Sequence, residues 1–254
     1  MIANMALTIN GGVDKSGADE GVRSISMRGG EIVGIVGPTG SGKSTLISDI
    51  EQLAQADTPS RRTVLINGER PDPTISTDPR RKLVAQLSQN MHFLADMAVG
   101  EFLGMHAKSR GKTESMATET VKLANTLCGE PLNIDDHLTS LSGGQSRALM
   151  TADIALISDS PIVLIDEIEN AGIKKQDALN LLSGEGKIVI VVTHDPVLAL
   201  VTSRRVVMSH GGMSKIIERS EQERRICARL AEVDDMLISL REVIRNGLVI
   251  EEMP

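Results

Sequence analysis

The stretch GPTGSGKST concentrates residues that hold phosphate: Gly37, Pro38, Thr39, Gly40, Ser41, Gly42, Lys43, Ser44 and Thr45. It fits a glycine, four free positions, then Gly-Lys-Ser, preceded by an apolar run and followed by helical spacing. Glycines at this spacing let backbone N–H groups turn inward around an anion, and a helix starting there adds favourable partial charge. Lys43 is suited to neutralise β- and γ-phosphate oxygens, and the Ser44 hydroxyl to ligate Mg2+. The reading is a cradle for a nucleoside triphosphate.

The run IVLIDE at 162–167 supplies a complement, with Asp166 and Glu167 closing an apolar strand where ligands of parallel sheets gather. Asp166 is suited to hold Mg2+ through water, and Glu167 to polarise an attacking water. A second glycine-dense stretch, LTSLSGGQSRALM at 138–150, sets Ser142, Gly143, Gly144 and Gln145 before another helix-like run. One nucleotide does not need two glycine-rich helix starts, so the second requires its own explanation.

Positioning these residues takes a sheet. Runs at 31–37, 63–68, 82–88, 161–167 and 187–193 are rich in β-branched residues, and several are nearly continuous in apolar residues. That is the pattern of strands covered on both faces. The segment 204–218 reads as a hairpin turning at His210, Gly211 and Gly212. The expected fold is α/β, a P-loop NTPase with a mostly parallel sheet core, an inserted helical lobe and a C-terminal helix. The expected division is a core of residues 1–89 and 158–217, a helical lobe at 90–157 and a tail at 218–254. In the tail, Ser220 and Glu223 form a candidate capping box and Gly247 a terminator. Ile226, Leu230, Val233, Leu237, Leu240 and Ile244 space as an a/d seam. Such a helix either docks on its own domain or offers a seam to a partner.

Bulk properties narrow the field. The 254 residues carry a formal net charge of -7, which argues against a nucleic-acid partner. Cys128 and Cys227 lack metal-type spacing and are expected as reduced thiols. No stretch approaches the ~18 apolar residues of a membrane span, and the start lacks a secretion signal. The expected location is cytoplasmic, or peripheral at the inner face of the membrane through a partner. There is no Trp or Tyr, and Phe93 and Phe102 are the two phenylalanines.

With the phosphate loop, LSGGQ and LIDE in that order, the chain resembles the ABC (ATP-binding cassette) ATPases over roughly residues 5–217. The resemblance implies ATP and Mg2+ as ligands and hydrolysis by water attack on the γ-phosphate, with positioning and electrostatics carrying most of the rate. It implies a catalytic set of Glu167, His194 as the switch histidine touching the γ-phosphate, and Gln89 of the Q-loop. Gln89 would also join Ser44 and Asp166 at the metal. It also explains the second glycine stretch: two cassettes face head to tail, and Ser142, Gly143, Gly144 and Gln145 of one cap the nucleotide held by Lys43 of the other.

The implied partners are a second cassette, as a homodimer, and a transmembrane permease, with Met91, Phe93 and Leu94 candidates for lining its docking groove. The alternative is a soluble ATPase that remodels a cytosolic protein or cofactor complex, reached through the C-terminal helix. Two positions depart from the family. Ile173 stands where its D-loop has an aspartate, leaving Glu169 as a substitute. No aromatic residue lies near 11–17, where the family stacks adenine, so weak selection of ATP over GTP is expected.

Overall fold

The computed structural model describes residues 5–75, 81–88, 91–166, 173–245 and 247–249. The strands are β1 (Ala6–Asn10), β2 (Ser24–Arg28), β3 (Ile32–Val36), β4 (Thr63–Ile66), β5 (Val84–Ser88), β6 (Ile162–Asp166), β7 (Ile188–Val192), β8 (Arg204–Ser209) and β9 (Gly212–Glu218). The helices are α1 (Lys43–Glu51), α2 (Val99–Ser109), α3 (Met116–Leu127), α4 (Gly143–Leu156), α5 (Lys175–Gly184), α6 (Pro196–Val201) and α7 (Glu221–Arg245).

Six strands form the main sheet in the order β5-β6-β7-β3-β8-β9, parallel except for β9. β7 is buried along its whole length and β6 up to Asp166, as their unbroken apolar runs require. Their side chains alternate between two cores. Val163, Ile165, Val189 and Val191 pack with the helices α2 to α5, whereas Ile162, Leu164, Ile188 and Ile190 face α1 and a second sheet.

That second sheet is the main departure from the sequence reading. The run at 63–68 does not join the parallel sheet; β4 pairs antiparallel with β1, which pairs with β2, in the order β2-β1-β4. Neither β1 nor β2 was anticipated. Both alternate, burying Leu7 and Ile9 or Ile25 and Met27, a half-buried pattern too short and polar to stand out.

Between β5 and β6, the described residues 91–157 contain α2, α3 and α4 and no strand. The hairpin β8–β9 turns on two residues, His210 (φ 50) and Gly211 (φ 91), with Gly212 already in β9. Both in the left-handed region, they make the primed turn that suits twisted strands. Cys128 and Cys227 are free and buried, and burial pushes both thiols up.

α7 begins as expected. Ser220 Oγ accepts from the Glu223 N–H (3.2 Å) and Glu223 Oε2 from the Ser220 N–H (3.0 Å). Arg205 on β8 donates to Glu223 Oε1, and Arg219 donates to the carbonyls of Leu200 and Val201 at the end of α6. Gly247 (φ 68) follows the helix. The early turns dock, burying Cys227. On the seam, Ile226, Val233, Leu237 and Ile244 are 45–62% exposed, while Leu230 and Leu240 are half-buried. Among the described residues no helix is long and apolar enough to cross a membrane.

Candidate active site

Strand register gathers the predicted residues at one edge. Ile35 on β3 pairs with Val192 on β7, Val192 with Asp166 on β6, and Asp166 with Ser88 on β5. The phosphate loop leaves β3 two residues after Ile35, and His194 leaves β7 two residues after Val192. Gln89 follows Ser88 but lies outside the described residues, as does Glu167 after Asp166. β3 and β6 flank β7, so Asp166 sits about 10 Å across the sheet from the loop's root, two strand spacings.

The phosphate loop is held from below by the β8–β9 turn. Gly42 (φ 98) packs so closely on Gly211 that a Cβ there would come within 2.7 Å of the Gly211 Cα. The Gly211 N–H donates to the Ser41 carbonyl (2.9 Å). Lys43 Nζ lies over the loop, donating to the carbonyls of Gly37 (2.7 Å) and Pro38 (3.1 Å). Gly42 caps α1 with no side-chain hydrogen bond, so this helix start relies on backbone amides and can offer them to an anion. Thr39, Gly40, Ser44 and Thr45 are exposed along the rim. The exposed Ser44 hydroxyl and the half-buried Asp166 carboxylate are hard oxygen donors, the kind Mg2+ takes alongside phosphate oxygens. The metal, when bound there, would offset the charge on the terminal phosphates.

A buried charge network backs this loop, and sequence reasoning missed it. Arg62, fully buried, donates to Asp49 Oδ2 on α1 (2.7 Å), to Glu20 Oε1 (2.8 Å from Nε) and to the Gly211 carbonyl (2.9 Å). Ser60 Oγ adds a bond to Asp49 Oδ2 (2.8 Å). One guanidinium thus ties the antiparallel sheet, α1 and the hairpin turn together. Among the described residues Glu20 Oε2 is buried with no hydrogen-bond partner, and Arg62 is the cation the two carboxylates share.

The second helix start is built differently. Ser142 Oγ accepts from the Gln145 N–H (3.3 Å) while Gln145 Oε1 accepts from the Ser142 N–H (2.9 Å), a closed capping box. The Gln145 amide also donates to the Pro131 carbonyl (3.0 Å). Gln145 therefore ties its own helix start to the preceding loop, a role the sequence reading did not give it. Ser142 and Gly143 are exposed. Among the described residues, no hydrogen bond or ion pair joins 142–145 to the phosphate loop of the same chain.

Exposed His194 precedes a fixed point. Asp195 caps α6, accepting from the amides of Val197 (2.8 Å) and Leu198 (3.1 Å), and pairs with Lys175 of α5 (2.9 Å). Burial works to raise the Asp195 carboxyl, but Lys175 and the helix amides outweigh it and hold it below the usual range. Ile173 is buried and bridged to Cys128, and the Lys174 N–H donates to the Leu127 carbonyl. At the position where the resemblance leads one to expect the D-loop aspartate, this chain makes an apolar contact with the end of α3. Glu169 lies outside the described residues.

Comparison with known proteins decides the family. The family model described as ABC transporter matches residues 22–170, more than half of the chain. The chain belongs to the ABC ATPases. An uncharacterized ABC transporter ATP-binding protein of Methanocaldococcus jannaschii is 64% identical over 242 residues, covering 95% of this chain and 93% of that protein. A macrolide export ATP-binding/permease protein of a Shewanella species is 30% identical over 198 residues, covering 74% of this chain. The chain spans only 30% of that relative's length.

Among solved structures, the cbiO1 protein of Clostridium perfringens, part of an ABC transporter complex, superposes with a TM-score of 0.64. It is 20% identical, with 91% of this chain and 98% of that one covered, which speaks for the fold. As an ABC ATPase the chain binds and hydrolyses ATP, and its α/β P-loop fold is that of the family.

Proposed function

We propose that this ABC ATPase is the nucleotide-binding subunit of a transporter and works as a head-to-tail pair of cassettes. In that pair Lys43, Ser44 and Asp166 of one copy hold MgATP, and Glu167, His194 and Gln89 act at its γ-phosphate. Ser142, Gly143 and Gly144 of the other copy cap it, while Gln145 holds the capping turn in shape. The observation that carries the pairing is the exposed, self-capped start of α4, whose amides have no tie to the phosphate loop of their own chain. A helix start aimed at an outer phosphate supplies donors and favourable partial charge. Binding then closes the pair, and hydrolysis removes the bridging charge and loosens it.

The transporter part of the reading draws on the relatives, and on Leu94, 96% exposed just beyond β5. Phe93 packs edge-on against Phe102 at 5.3 Å, so Leu94 rather than Phe93 is the residue offered to a membrane partner. Residues 90–157 would act as the mobile lobe between that partner and the core formed by 1–89 and 158–217.

Glu167→Gln tests the pairing. The variant is expected to bind MgATP as the wild type does, to lose turnover, and to run as a dimer on sizing with light scattering. A hydrolysis-dead variant that stays monomeric at saturating MgATP would sink the head-to-tail arrangement, and wild-type turnover would remove Glu167 from its role.

A further inference from the structure

Residues 11–17, where the resemblance puts the family's adenine-stacking aromatic, hold a lysine on the phosphate loop instead. Lys15 Nζ donates to the carbonyl of Gly40 at 2.7 Å, on the exposed rim of the loop. Its position is fixed by backbone and stem. The Lys15 N–H donates to the His210 carbonyl at the hairpin turn (2.9 Å). A Cβ added at Gly211 would meet Lys15 Cγ at 2.5 Å, so the turn is open at that point for the lysine stem to cross.

The neighbouring carboxylate is occupied elsewhere. Asp14 Oδ1 accepts from the Ser16 amide (2.8 Å), the Ser16 hydroxyl (2.6 Å) and the Ala18 amide (3.1 Å). Among the described residues no carboxylate forms an ion pair with Lys15. Its exposed ammonium is held by one neutral carbonyl, the same kind of acceptor that Lys43 uses on Gly37 and Pro38. An ammonium so placed exchanges a carbonyl for a phosphate oxygen with a gain, because the new acceptor carries an opposite charge and adds Coulomb attraction to the hydrogen bond.

We propose that Lys15 is a second cationic contact to the bound nucleotide, reading its phosphate charge from the side where other members of the family read its base. Affinity then rests on the phosphates, and adenine and guanine nucleotides are held alike. The proposal rests on nucleotide binding at residues 37–45 but not on the head-to-tail pairing, so the two fail separately.

Isothermal titration of the full chain with MgATP and with MgGTP tests it, alongside thermal unfolding without nucleotide. The wild type is expected to bind the two nucleotides within about tenfold of each other. Lys15→Met is expected to raise both Kd values by about tenfold and by the same factor, the size of a lost hydrogen bond to a charged group. Lys15→Arg should restore most of the affinity, and neither variant should move the unfolding midpoint. Kd values within twofold of wild type for Lys15→Met would overturn the proposal. So would a loss confined to one base, or a loss that tracks a lowered unfolding midpoint, which would make Lys15 a latch on Gly40 alone.

Discussion

The two glycine-rich helix starts of this chain solve opposite problems. At α1, Gly42 provides no side-chain cap, the loop lies directly on the hairpin turn, and a buried guanidinium ties its surroundings together. At α4, Ser142 and Gln145 satisfy each other and the tip is left exposed. The first keeps its amides for a ligand and needs the rest of the domain to hold it in shape. The second needs almost nothing beyond its own turn, so it can be carried on a helical lobe and presented to another molecule. A helix start that caps itself is portable; one that does not must be built in.

The contrast breaks most visibly at Arg62. Arg62→Met should leave Glu20 and Asp49 buried without their cation and destabilise the chain by about 3–5 kcal/mol, read by urea unfolding. MgATP affinity should fall with it, since the same side chain holds the turn beneath the phosphate loop. A variant with wild-type stability would mean that the network is incidental.

A smaller effect comes from the far end of α4, where Lys112 donates to the carbonyls of Leu156 and Ile157 and buried Lys187 to those of Ser158 and Ser160. Burial, with Lys112 nearby, lowers Lys187 from 10.5 to about 8. Above pH 8 the folded chain releases this proton while the unfolded chain keeps it, so this group's contribution to stability rises between pH 8 and 10.5 and is lost as pH falls through 8. The stability of wild type minus that of Lys187→Met should therefore grow by about 2 kcal/mol from pH 8 to 10. A flat or falling difference would show that the ammonium is retained in the fold.

The smallest change sharpens the other side. Ser142→Ala removes the cap and should cost about 1 kcal/mol. MgATP binding to the isolated chain should stay within twofold of wild type, and tighter dependence would place this tip in its own chain's pocket.

What the sequence made legible follows from distance along the chain. The phosphate loop, the capping box at Ser220 and the β8–β9 turn are local, each set by a few consecutive residues; the capping box at Ser142 is as local, but its residues were read only as a contact for a partner cassette. The parallel strands were equally readable because burial on both faces leaves an apolar run. Arg62, Glu20 and Asp49 were not readable. Their bonds span 13 to 149 positions, and charged residues in isolation read as surface. Lys15 was not readable either, because its partners Gly40 and His210 lie far from it along the chain. The run at 63–68 showed its strand but not its sheet, because pairing direction is decided by β1 on the far side of the phosphate loop.

Gly211 bears on how this enzyme could be divided. Its N–H is bound to Ser41 and its carbonyl to Arg62, so the floor under the phosphate loop is laid by the β8–β9 hairpin. The stretch by which the family is recognised ends at residue 170. A fragment trimmed to that recognisable part would keep the phosphate loop, LSGGQ and LIDE, but lose His194 and the surface on which the first of them is moulded.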